Sequence, residues 1–232
     1  MKLLGLIPAR KGSKRIPGKN MVLLNGVPLL EYTILSALSS CLFDHIVVST
    51  DWGKVAGFSR TYNDFHNLDV LMRPDELCTD IAHDYQWVKH AVDKYPGFDA
   101  FAILRPTSPF RTAETIRRAF DVFKTGCDSV RAVEPTGHHP GKSWVLDGGR
   151  MDPYVFDCGF GFIRDYDMPT QALERVYCQN ACIHIAKTEV LEKYKNVTGD
   201  IIKPFLTTGD EGIDINTPDD LAYAEWVMRG RL

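Results

Sequence analysis

The chain has 232 residues, 44% of them hydrophobic and 11% aromatic, enough for one core of ordinary domain size. Its formal net charge of −3 argues against general nucleic-acid binding, which needs a basic surplus. No apolar run is long enough to cross a membrane. The opening Leu-Leu-Gly-Leu-Ile stretch is too short for a signal peptide, and the six cysteines (Cys41, Cys78, Cys127, Cys158, Cys178, Cys182) show no C-x-x-C spacing. A cytoplasmic protein with reduced, buried thiols and no membrane contact is expected.

Leu3, Leu4, Leu6 and Ile7 read as a buried strand, after which hydrophobicity stops. Five of the next eleven residues are basic: Arg10, Lys11, Lys14, Arg15 and Lys19. Gly12 and Gly18 between them let a backbone bend close to a ligand. Met21–Leu24 and Asn25-Gly26 read as a short extended piece and a turn. A helix is predicted from Pro28 through Ser40, a strand over Asp44–Thr50, a helix over Trp52–Asn63 and a strand over Leu68–Met72. A loop from Arg73 precedes a helix over Ala82–Tyr95 and a strand over Phe98–Leu104. Pro106 and Pro109 force another loop before a helix from Thr112 through Lys124 and a strand over Cys127–Val133. After an excursion rich in Gly, Pro, His and Asp come a strand (Val176–Ile185), a helix (Lys187–Tyr194), a short strand (Gly212–Ile215) and a closing helix (Thr217–Arg229). Thr217, Pro218 and Asp220 form a sound helix start.

This alternation predicts an α/β fold, a doubly wound and mostly parallel, Rossmann-like sheet. A single domain over residues 1–232 is expected, with 135–175 as an excursion within it. Ligands of such sheets sit at the C-terminal ends of the strands, so the loops Ala9–Asn20, Arg73–Asp80 and Arg105–Arg111 should line one crevice.

A basic, glycine-containing loop leaving a strand suits a polyphosphate, because backbone N–H groups and cationic side chains both favour dense negative charge. It is not a Walker A loop. Gly12 to Gly18 is one residue too long, and Asn20 stands where Ser or Thr would meet Mg²⁺. No G-x-G-x-x-G follows the first strand, which disfavours a dehydrogenase.

Ala9-Arg10, Ser13 and Lys19-Asn20 resemble the N-terminal signature of the acylneuraminate cytidylyltransferases, the CMP-sialic acid synthetase family, and more distantly that of the CMP-KDO synthetases. The likeness recurs in order at Asp44–Asp51, Arg73–Leu77, Leu104–Arg111, His138–Lys142, Asn180–Ile183 and Ile213–Thr217. It implies a nucleotidyltransferase in which the anomeric hydroxyl of a 2-keto-3-deoxy sugar acid attacks the α-phosphate of CTP. By resemblance, Arg10, Lys19 and Asp214 are catalytic, and Ala9, Arg10, Ser13, Lys19, Asn20, Arg73 and Asp84 bind the nucleotide. The acceptor side falls to Arg105, Thr107, Ser108, Arg111, Lys142, Gln179 and Asn180. Asp214 and Asn216 are implied to hold Mg²⁺. The excursion is implied to mediate a homodimer, and a role in surface-glycan synthesis follows from the family.

Plainer readings stand beside these. Arg73 could form an ordinary salt bridge on a surface loop, and Arg105 and Arg111 could pair with Glu114 or cap a strand end. Thr107 and Ser108 could serve turn backbone groups. His138 and His139 read as a structural or interface pair, and Asp219 and Asp220 as helix N-terminal charges.

The chain also departs from the family's pattern. Asn216 stands where the sialic acid enzymes usually carry Asp, Arg105 where a Gln is common, and Asp84 where a small Ser helps define the cytosine pocket. Thr170 and Cys178 fall where arginines for the sugar carboxylate are usual, so Arg105 or Arg175 would carry that charge instead. The acceptor-side departures point to a legionaminic- or pseudaminic-type acid. The alternatives are a CMP-KDO-like or GMP-transferring enzyme, and a sugar-nucleotide-binding regulatory protein without turnover.

Overall fold

The computed structural model describes residues 1–63, 67–154 and 165–230. It comprises two compact units, Met1–Ala132 with Asn180–Leu232, and Val133–Gln179. The elements in chain order are β1 (Leu3–Pro8), β2 (Leu23–Leu24), β3 (Val27–Pro28), α1 (Leu29–Ser40), β4 (His45–Thr50), α2 (Gly53–Arg60), β5 (Leu68–Met72), α3 (Asp84–Lys94), β6 (Ala100–Ile103), α4 (Ala113–Lys124), β7 (Ser129–Pro135), β8 (Trp144–Asp147), β9 (Arg150–Pro153), β10 (Tyr177–Lys187), α5 (Glu189–Lys193), β11 (Ile202–Leu206) and α6 (Pro218–Arg229).

Among the described residues a seven-stranded sheet has the order β11-β7-β10-β6-β1-β4-β5. β1 is parallel to both neighbours, β4 and β6; β5 is parallel to β4, and β10 is antiparallel to β6. Successive β1 side chains enter opposite layers. Leu3 and Ile7 pack with Leu30 and Ile34 of α1 and Ile116 and Phe123 of α4, whereas Leu4 and Leu6 pack with Trp87 and Val88 of α3 and Leu191 of α5. A strand buried on both faces needs a continuous apolar run, and β1 supplies one. The chain builds β4 and β5 on one side of β1, then crosses to place β6 on the other. The strand order therefore reverses at β1 and β6, and their C-terminal ends open the crevice that such a reversal leaves.

Several local features depart from the expected elements. Gly212–Ile215 is not a strand: a 3₁₀ turn at Gly209–Gly212 leads into irregular backbone. There the Asp220 carboxylate accepts the N–H groups of Asn216 and Thr217, and Ile215 N–H donates to Thr107 O, so local partners replace a ladder. β11 was not expected because Pro204 interrupts its pattern, yet it lies at the sheet edge, where proline is tolerated. Only Gly18 of the two loop glycines adopts a positive φ (65°), and a Cβ there would lie 3.2 Å from the Trp52 ring. Gly12 has neither requirement. Cys127 and Cys182 are buried, but Cys41 and Cys178 are exposed, and Cys158 lies outside the described residues. Among the described residues no helix is long and apolar enough to cross a membrane.

The second unit contains the β8–β9 hairpin, closed by Gly148 and Gly149 at φ 52° and 86°, which a two-residue hairpin turn of this twist demands. His139 uses both ring nitrogens on backbone, accepting from Gly141 N–H and meeting Glu174 O, as expected of a structural histidine. Gly141 packs so closely on Asp165 that a Cβ would lie 2.7 Å from its side chain.

Arg111 is the largest fully buried side chain of the first unit. Its guanidinium donates to Cys182 O of β10 (2.6 Å), Thr33 Oγ1 of α1 (2.7 Å) and the Arg105 carbonyl (3.3 Å). Burial lowers its pKa to about 10. Arg111→Ala strands these buried acceptors at ~1–3 kcal/mol each. Urea unfolding should show a loss of about 3 kcal/mol or more; a loss below about 1 kcal/mol would mean that the network does not hold the fold.

Candidate active site

The three loops that the strand order predicts do meet. A cavity of about 400 Å³ at the C-terminal ends of β1 and β6 is lined by Arg10, Ser13, Lys19 and Asn20, by Arg73 and Asp80, by Asp84 and Trp87, by Arg105 and Thr107, and by Asp214 and Asn216. All belong to the first unit.

The basic loop is shaped by its own side chains. Asn20 Nδ2 donates to Arg10 O (2.9 Å), which ties the end of the loop to its beginning. Ala9 is buried under it, its N–H on Ser49 O and its carbonyl on Thr50 Oγ1. Gly18 turns the backbone into the 3₁₀ helix Lys19–Met21, and Lys19 Nζ reaches Ile215 O (2.9 Å) and Asn216 Oδ1 (3.1 Å).

The pocket cations fall into two kinds. Arg10 and Arg105 are already matched by carboxylates, Arg10 by Asp80 (2.9 Å) and Arg105 by Asp84 (2.5 Å). Lys14, beside Arg10, also bonds Asp80. Lys19 and Arg73 have no carboxylate within ion-pair distance among the described residues. Burial lowers the Lys19 ammonium from the ordinary lysine range, against the opposing charge of Asp214. Burial likewise pulls Arg73 down to about 10. Arg73 is no surface arginine: it is 6% exposed, bonds Ser49 Oγ and O (both 3.1 Å) and stacks on Trp87 at 4.8 Å. Buried cations without counter-ions are the groups whose charged forms gain most from an incoming anion.

Beside Lys19 lies the one carboxylate of the lining with a free, buried oxygen. Asp214 Oδ2 accepts from Asn216 Nδ2 (2.6 Å), while its buried Oδ1 has no hydrogen-bond partner. Asn216 thus engages both ends of its amide, one with Asp214 and the other with Lys19. Asp220 does not join them. Burial works against its ionisation, but the Asn216 and Thr217 N–H groups and the Thr217 hydroxyl outweigh this and hold its pKa low, as for a helix N-terminal charge. No group of three or more His, Cys, Asp or Glu suited to a metal occurs among the described residues.

Other expected site residues lie off the lining. Ser108 is buried with an unpartnered hydroxyl, Arg111 is enclosed as described above, and Asn180 bonds Thr207 Oγ1 and Cys182 N–H. Lys142 and Gln179 belong to the second unit. Trp87 escaped the sequence reading, which named Lys14 only as part of the basic loop. Trp87 was detectable as the residue one helical turn beyond Asp84, whose Oδ1 its Nε1–H meets at 2.9 Å.

The family model described as Cytidylyltransferase matches residues 4–139. The CMP-N,N'-diacetyllegionaminic acid synthase of Legionella pneumophila is 35% identical, over 98% of this chain and 97% of its own length. The N-acylneuraminate cytidylyltransferase of Streptococcus agalactiae serotype III is 30% identical over 96% of this chain and 52% of its own, so the chain spans about half of that relative. A solved CMP:2-keto-3-deoxy-manno-octonic acid synthetase complexed with CTP superposes at a TM-score of 0.72 with complete coverage of both chains, at 17% identity, a likeness of fold. The continuous parallel core, the loops gathered at the strand reversal and the match along nearly the whole chain lead to one conclusion: this chain is a nucleotidyltransferase belonging to the cytidylyltransferase family.

Proposed function

We propose that the protein transfers the cytidylyl group of CTP to the anomeric hydroxyl of a nonulosonic acid, releasing pyrophosphate. The observation that carries this reading is the pocket wall on which the desolvated, counter-ion-free Lys19 and Arg73 share a cavity with the unpartnered Asp214 Oδ1. Full-length similarity to a legionaminic acid synthase supports this acceptor class.

The hydroxyl oxygen forms the new bond to the α-phosphorus as the bond from that phosphorus to the α,β-bridging oxygen of CTP breaks; that oxygen leaves with pyrophosphate, and the hydroxyl proton passes to solvent. Such chemistry is mainly positioning and charge neutralisation. Lys19 neutralises the triphosphate and the departing pyrophosphate, while Arg10 exchanges Asp80 for phosphate oxygens. Ser13 adds a hydrogen bond. Asn20 holds the loop in shape through Arg10 O. Arg73 presents its charge on the nucleotide side, braced by Ser49 and Trp87. Mg²⁺ prefers oxygen ligands and keeps several waters, so one free carboxylate oxygen beside bound phosphates suits it. Asp214 would hold the ion through Oδ1, with Asn216 orienting the carboxylate, and the ion would supply further neutralisation of phosphate charge. A homodimer through residues 133–179 is supported by exposed Trp144, Leu146, Met151 and Tyr154 in that unit. We place the enzyme in the cytoplasm, in surface-glycan synthesis.

The primary test is pyrophosphate release with Mg²⁺, crossing CTP, GTP, UTP and ATP with N-acetylneuraminate, KDO, legionaminate and pseudaminate. Turnover with CTP and a nonulosonic acid is expected. Turnover with GTP or KDO alone would move the assignment to those enzymes, and silence with CTP retained in calorimetry would favour a regulatory binder. Lys19→Ala should reduce kcat/KM by about a thousandfold with its melting temperature nearly unchanged, since it removes transition-state charge neutralisation; normal turnover would remove Lys19 from the site. Asp214→Ala should abolish both activity and Mg²⁺ dependence, and a fully active variant would show that the ion lies elsewhere.

A further inference from the structure

Asp84 and Arg105 are separated by 21 residues and bonded to each other. Arg105 Nη2 donates to Asp84 Oδ2 at 2.5 Å. The other carboxylate oxygen accepts Trp87 Nε1–H at 2.9 Å, and the Trp87 ring lies under the Arg73 guanidinium at 4.8 Å. Four side chains thus form a continuous row along the pocket wall, Arg73–Trp87–Asp84–Arg105, all of them lining the cavity.

This arrangement separates two roles that the sequence had divided differently. Read from sequence, Asp84 faces the base and Arg105 the acceptor. In the structure both Asp84 oxygens already have donors, Trp87 Nε1–H and Arg105 Nη2. Asp84 is the counter-charge of Arg105. Arg105 is the reverse case: a guanidinium has five N–H donors in a planar fork, and only Nη2 is engaged by a side-chain acceptor among the described residues. Arg105 lines the cavity that, on the transferase reading, would receive a carboxylate-bearing sugar. A long arginine held at one nitrogen loses less rotamer freedom when it grips a second anion than a free one does.

We propose that Asp84 and Arg105 together form the acceptor-selecting element of this enzyme. Arg105 pairs with the carboxylate of the sugar acid, and Asp84 is the positioning residue that holds it there, rather than a reader of the nucleotide base. The inference rests on the transferase reading above and deepens it. A neutral Ser and Gln at these two positions could not make this ion pair, and a lone exchange at either position would leave one charge unmatched in a partly buried wall. The two residues act as one unit.

The test is steady-state pyrophosphate release by wild type, Arg105→Gln, Asp84→Ser and the double variant, with KM measured separately for CTP and for the sugar acid. CTP affinity is followed by calorimetry and folding by melting temperature. Arg105→Gln should raise the acceptor KM about tenfold or more, the loss of a charge-assisted contact, with CTP affinity unchanged. Asp84→Ser should raise the acceptor KM as well, and leave CTP affinity and the preference for CTP over UTP unmoved. The double variant should be no worse than Arg105→Gln alone, because Asp84 acts through Arg105. If Asp84→Ser changes CTP affinity or nucleotide choice with acceptor KM constant, Asp84 reads the base and the proposal falls. Additive single effects, or an acceptor KM unmoved by Arg105→Gln, overturn it too. Wild-type silence with every sugar acid overturns the transferase reading and this proposal with it, whereas the other failures leave that reading standing.

Discussion

A guanidinium with no counter-ion among the described residues ties the site to the core. Arg111 is closed off from water and bonds only neutral oxygens, one from α1, one from β10 and one from the backbone of Arg105. An unpaired buried charge is costly, and it persists where its hydrogen bonds are short and come from rigid elements. The result is a brace. The loop after β6 cannot drift from α1 or β10 without stranding a charge, so Arg105 and Thr107 are presented to the pocket at a fixed place. Thr107 in turn accepts Ile215 N–H, which carries the same constraint to the segment holding Asp214.

The electrostatics of the pocket follow from which cations have partners. Arg10 is matched by Asp80 in the free protein, so an anion reaches it by exchange, at little net cost because the guanidinium stays satisfied throughout, whereas Arg105 keeps Asp84 and offers its remaining donors. Lys19 and Arg73 are unmatched and partly desolvated, which concentrates the attraction for a highly charged ligand at those two points. A net charge of −3 on the whole chain is no obstacle, because a cleft with low-dielectric walls focuses its local field.

Much of this was legible in the sequence where one short-range rule acts alone. The apolar run Leu3–Ile7, the Thr217-Pro218 helix start and the breaks at Pro106 and Pro109 each carry their own signal, and the crevice follows from strand order. Other features depend on partners far away in the chain. Pro204 conceals β11 because only its edge position makes it acceptable. Asp214 and Asn216 look like a strand until Asp220 and Thr107 take their neighbours' N–H groups. Nothing local distinguishes Arg111, which is entombed, from Arg105, which faces the cavity, although six residues separate them. The Asp84–Arg105 bond is visible only once α3 and β6 are side by side.

Lys19 finds its partners, Ile215 O and Asn216 Oδ1, almost two hundred residues later in the chain. Ribosomal synthesis delivers these pieces far apart in time. A nascent chain that has emerged only as far as β11 already displays the basic loop, yet it lacks the backbone carbonyl and the side-chain amide that set its lysine. Nucleotide capture in the productive geometry is thereby deferred until the segment carrying Ile215 and Asn216 has docked, which makes synthesis through that segment a precondition for chemistry.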